Sequence, residues 1–111
     1  MLPFMDLHRI GELRSLAYHR EVARRIEMDA AILTNARALA SRWLAEGKAP
    51  WAMERWLGLL AAGGAPLSQA LTEDSESARH LRSCSPFAGT LTARERWRIW
   101  SEVRRRYQAT T

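Results

Sequence analysis

The sequence predicts an all-α protein, a compact bundle of five or six helices led by a long N-terminal one. Three observations predict it. Apolar residues recur at three- and four-residue steps along most of the chain. No stretch alternates with period two over strand length, and β-branched residues are sparse. Gly, Pro and capping residues fall between the periodic segments. With 111 residues, 47% of them hydrophobic and five of them Trp, the chain can bury one core, and residues 1–111 read as a single helical domain. No linker, repeat or low-complexity tract divides it.

The first helix is expected from about Asp6 to Glu27. Leu7, Ile10, Leu13, Leu16, Ala17, Ala23 and Ile26 form its apolar stripe. It could project from the rest, although the short joint at Met28-Asp29 also permits an antiparallel hairpin with the second helix. Asp29 can cap that second helix, which Ile32, Leu33, Ala36, Leu39, Ala40, Trp43 and Leu44 carry to a stop at Gly47. Pro50 suits the start of a third helix, because its missing N–H costs nothing there. Trp51, Met53, Trp56, Leu57 and Leu60 continue it to Gly63-Gly64. Short fourth and fifth helices follow, from Pro66 to Leu71 and from about Glu76 to Ser83. Pro86 pushes Ser85 toward extended backbone, so the fifth helix ends before it. Thr92-Ala93-Arg94-Glu95 is a capping box that opens the last helix, which runs to about Gln108. Its apolar residues Trp97, Trp100, Val103 and Tyr107 read as the buried stripe.

The net charge of +5 comes from sixteen Arg and one Lys against twelve acids. Lys is scarce everywhere, so the Arg excess reads first as composition rather than as a designed patch. Its placement says more. Residues 90–111 hold six Arg and two Glu, nearly the whole surplus, which makes the last helix a candidate docking surface for something acidic. The lone Cys84 cannot form an internal disulfide, and a cytoplasmic setting fits it. The opening residues lack the basic head and apolar run of a signal peptide, and no segment reads as a membrane span.

Enzyme motifs are missing. There is no Gly-x-Ser-x-Gly, no phosphate-binding glycine loop and no His-Glu-x-x-His. His8 and His19 share a helical face but stand roughly 16 Å apart along the axis at 1.5 Å per residue, too far for one metal. The acidic turn Glu73-Asp74-Ser75-Glu76 reads as the capped start of a helix rather than a metal site. The chain therefore reads as no enzyme, with no catalytic, cofactor or metal residues assigned. Residues 66–83 match a helix-turn-helix weakly, since both helices are short and the region is net acidic.

Two features remain for binding. Arg94, Arg98 and Arg105 share one side of the last helix and are free to meet an acidic partner. The segment Ser85-Pro86-Phe87 has two readings. Phe87 can plug the core beneath the loop, with Gly89 at positive φ, or it can be an exposed apolar knob at an interface. The candidate partner-binding set is accordingly Ser85, Pro86, Phe87, Arg94, Arg98 and Arg105.

Three blocks, ARALASRWLAEG (36–47), the run from Glu54 to Ser83, and SPFAGTLTARERWRIW (85–100), carry a resemblance. The most specific is Ser85-Pro86-Phe87-Ala88-Gly89, with Leu91-Thr92 and Arg94-Glu95-Arg96 after it. The chain resembles small helical bacterial proteins similar to the MenA antitoxins of nucleotidyltransferase (MenT-like) toxin–antitoxin systems. The likeness spans about two-thirds of the chain. It departs at Ser83-Cys84, where a polar Gln-Ser is expected. The resemblance implies a cognate protein toxin, a nucleotidyltransferase, whose nucleotide or tRNA site is blocked by direct contact. Two alternatives stand beside it: a nucleic-acid-binding regulator using the basic last helix, and a self-associating scaffold subunit, suggested by the five tryptophans.

Overall fold

The computed structural model describes residues 6–110. Residues 1–5, the start of the stretch weighed as a leader, lie outside the described residues. Six helices follow one another and no strand occurs among the described residues: α1 (Leu7–Ile26), α2 (Ala31–Ala45), α3 (Pro50–Ala62), α4 (Gly64–Thr72), α5 (Glu76–Arg82) and α6 (Ala93–Thr110). The all-α expectation holds.

Local chemistry sets the boundaries. Asp6 caps α1 by accepting from the Arg9 N–H at 3.1 Å. Asp29 accepts from the Ala31 N–H at 3.0 Å, just ahead of α2. The end of α2 is a Schellman turn. Gly47 takes φ +73°, its N–H reaches the Leu44 carbonyl, and the Lys48 N–H reaches the Trp43 carbonyl. Ser75 caps α5 through the Ala78 N–H. The Thr92–Glu95 capping box forms reciprocally, with Thr92 N–H on Glu95 at 2.9 Å and Glu95 N–H on Thr92 Oγ at 3.1 Å.

α1 does not project. It is the central element and packs on α2, α4, α5 and α6. Its buried residues are Ile10, Leu16, Tyr18, His19 and Val22, whereas Leu7 is exposed. A helix with neighbours on several sides buries more than one stripe, which is why Tyr18 and His19 go inside. The remaining core comes from Ile32, Ala36 and Ala40 of α2, Ala52, Met53, Trp56 and Leu60 of α3, Leu67, Ala70 and Leu71 of α4, Leu81 of α5, and Phe87 and Leu91 of the segment before α6. Ala36, Ala40 and Ala52 are fully or nearly fully buried in this core, and α2 and α3 pack on each other. No helix among the described residues is long and apolar enough to cross a membrane.

Candidate partner-binding surface

The segment between α5 and α6 is fastened from three directions. Trp56 Nε1–H is shared between the carbonyls of Leu81 at 3.1 Å and Cys84 at 2.9 Å, which terminates α5. The Phe87 ring meets Trp56 edge to face, with centroids 5.6 Å apart. From α1, the Tyr18 hydroxyl lies 2.6 Å from the Phe87 carbonyl and 3.0 Å from that of Ala88, and accepts the Leu91 N–H at 3.3 Å.

His19 adds the third tie. Its Nδ1 lies 2.7 Å from the Ser15 carbonyl, which can only accept, so the proton sits on Nδ1. Nε2 then accepts from the Ser85 hydroxyl at 2.7 Å, and Ser85 Oγ in turn accepts the Phe87 N–H at 3.1 Å. Burial lowers the His19 pKa to about 4, with the nearby Arg82 cation acting in the same direction. The ring is therefore neutral at pH 7.

This geometry corrects half of the expected binding set. Phe87 has no exposed surface and Pro86 is buried. Phe87 is core, not an exposed knob, because the Trp56 edge and the Tyr18 hydroxyl hold its ring and its carbonyl inside. Ser85 is half-buried, with its hydroxyl spent on His19 and Phe87. Gly89 does not take positive φ, since the glycines that do are Gly47, Gly63 and Gly64.

The last helix needs the opposite correction. Trp97 is 69% exposed and Trp100 36% exposed, so neither is a core anchor. α6 lies against α1 and buries only a narrow line containing Ile99, with Val103 beside it, both partly buried. At 100° per residue, Trp97 points away from that line. Trp97, Ser101 and Arg104 follow one outward row, and Arg94, Arg98 and Arg105 the next. Trp100 lies at the flank, where the Arg14 guanidinium covers its ring at 5.5 Å from the centroid.

The carboxylates of α6 are engaged elsewhere. Glu95 pairs with Arg25 of α1, and that hydrogen bond, with those from Thr92, lowers its pKa to about 2. Glu102 pairs with Arg105 and Arg106, and its pKa is lowered chiefly by Arg105. Arg94, Arg96, Arg98 and Arg104 have no ion-pair partner among the described residues, whereas Arg105 does. The outward face thus presents an exposed indole among unpaired guanidinium groups and no free carboxylate.

No protein-family model, curated protein or solved structure matches the chain.

The other candidates are occupied structurally. Of the α5 residues that would read DNA, Arg79 pairs with Asp74 at 3.1 Å and with Glu12 at 3.5 Å. His80 stacks on Trp51 at 4.6 Å, and Arg82 is 3% exposed. No group of three or more His, Cys, Asp or Glu is placed to hold a metal among the described residues. Sequence reasoning missed the Tyr18 and His19 ties. One signal was present: Tyr18, Val22 and Ile26 step by four residues along one face of α1, so Tyr18 extends an apolar row.

Proposed function

We propose that the protein is an antitoxin-like neutraliser that binds a cognate protein, a nucleotidyltransferase toxin, through the outward face of α6. The observation that carries this reading is Trp97, 69% exposed on a helix where Arg94, Arg98 and Arg104 have no ion-pair partner among the described residues. A large exposed indole ringed by arginines has the composition of an interface hot spot. Burying such a side chain on association is worth about 1.5–3 kcal/mol. The guanidinium forks fit carboxylates bidentately, and a nucleotidyltransferase carries metal-binding carboxylates at its active site. The toxin's identity as a nucleotidyltransferase rests on the sequence resemblance alone.

The test is co-expression with the product of the adjacent open reading frame. Co-purification together with restored growth supports the reading. A protein that purifies alone and rescues nothing refutes it.

The exposure of Trp97 also favours a second reading, because an exposed indole beside arginines can stack on a single-stranded base. Four unpaired arginines set its scale. For single strands they give a log–log salt slope of at most about −3. A mobility shift on tRNA and on promoter DNA at low salt distinguishes this from protein binding.

A further inference from the structure

A cleft of about 460 Å³ lies between α3, α4 and α5, within the size range of small-molecule sites. Trp51, Arg55 and Leu59 line it at four-residue steps along α3, and Gln69 and Glu73 do so at the end of α4. Its floor is apolar, with Ala70, Ala78 and Leu81 buried. At the rim, Trp51 is 48% exposed. His80 of α5 stacks on the Trp51 ring, with centroids 4.6 Å apart and planes 16° from parallel. The pair makes a flat aromatic platform, and its exposure leaves indole surface open to a further planar ring.

Arg55, Gln69 and Glu73 are exposed, and their side chains make no hydrogen bond or ion pair among the described residues. Asp74, the next residue, is by contrast held by Arg9 and Arg79. Arg55 and Glu73 thus line one cleft with opposite charges and are not paired with each other. A guanidinium fork matches two adjacent acceptors, and a carboxylate matches two adjacent donors. Guanine presents both, O6 and N7 on one edge and N1–H and N2–H on the next. Adenine sets N6–H beside N7 and has an acceptor at N1, so it mismatches both groups. A free aromatic amino acid also meets a cation and an anion, but ion pairs this exposed contribute little. We propose that the cleft binds a guanine base, as a free nucleoside or nucleotide, stacked on Trp51 and read by Arg55 and Glu73. The site uses no residue of α6 and does not depend on the antitoxin reading.

The experiment follows the Trp51 indole N–H resonance of the full chain, assigned by its loss in Trp51→Phe, during titration with GMP and, in parallel, AMP and phenylalanine. GMP and AMP carry the same phosphate, so their difference reports the base alone. GMP should shift the resonance saturably and bind about tenfold or more tighter than AMP. Glu73→Gln keeps the shape of the side chain but exchanges one acceptor for a donor, and should reduce that preference to about twofold or less. The fold should survive it, because Glu73 is exposed and Arg82 holds its carbonyl rather than its carboxylate. An unchanged melting temperature checks this. Arg55→Gln, also at an exposed position, serves as a second variant and should weaken GMP more than AMP. No saturable shift with GMP, AMP binding as tightly as GMP, phenylalanine binding more tightly than either, or a preference for GMP that survives Glu73→Gln overturns the proposal.

Discussion

The Tyr18 hydroxyl lies 2.6 Å from the Phe87 carbonyl, across 69 residues of sequence, and also accepts the Leu91 N–H. One phenol therefore satisfies main-chain groups on both sides of the bend that leads into α6. Tyr18→Phe keeps the ring and strands these groups. It should destabilise the fold by about 1–3 kcal/mol, measured by urea denaturation with an unchanged slope. An unchanged midpoint would mean that the tie contributes nothing.

Phe87 and Trp97 make a paired prediction: the structure buries Phe87, one of the two readings the sequence left open, and exposes Trp97, which the sequence pattern placed in the core. Phe87→Ala removes a ring with no exposed surface and should cost about 3–5 kcal/mol. Trp97→Ala removes a mostly exposed ring and should change stability by no more than about 0.5 kcal/mol. Thermal unfolding of the two variants against the parent checks both.

The exposure of Trp97 marks a limit of what the sequence made legible. Helix order and most boundaries were readable because local chemistry sets them: Asp6, Gly47, Pro50, Ser75 and the Thr92–Glu95 box act within a few residues of their own positions. Which face of α6 goes inside was not readable. The expected stripe Trp97-Trp100-Val103-Tyr107 and the row Ile99-Val103-Tyr107 are both acceptable helical rows that share Val103 and Tyr107, and the first is the more aromatic. The choice depends on α6 having α1 as its neighbour, a tertiary fact with no local mark. Of the expected binding set, Arg94 and Arg98 remain on the surface without partners. Arg105 is exposed but paired with Glu102, while Pro86 and Phe87 are buried and Ser85 is spent internally. The ties of Tyr18 and His19 to the segment before α6 were not readable because they join residues 66–73 positions apart.

His19 makes stability depend on pH. Its pKa falls from 6.5 in the unfolded chain to about 4 in the folded one, so the unfolded state binds more protons between those values. The stability this group contributes is complete above pH 6.5 and is lost as pH falls toward 4. The loss is on the order of 3 kcal/mol. Urea denaturation across this range should show it, and His19→Gln should flatten the profile there. A profile equally steep in the variant would assign the dependence to other groups. Glu95 acts in a lower window. Its carboxylate, held by Arg25, contributes above the ordinary value of 4.5 and loses that contribution as pH falls toward 2.

The capping box can be tested separately from packing. Thr92→Ala leaves the Glu95 N–H without its side-chain acceptor and should cost about 1 kcal/mol. Faster amide hydrogen exchange should be confined to the first turn of α6. Exchange that accelerates along the whole helix would mean that α6 depends on its cap more than on its contact with α1.

The central claim is that the outward face of α6 binds a protein partner. The most direct measurement is the affinity of the full chain for the co-expressed product of the adjacent open reading frame, compared with Trp97→Ala and with the double variant Arg94→Glu/Arg98→Glu. Both variants should keep the parent's melting temperature within a few degrees. Trp97→Ala should weaken binding by about 30-fold or more, the loss expected of a hot-spot tryptophan, and the charge reversal should abolish growth rescue. Parent-like affinity in both folded variants would contradict the account.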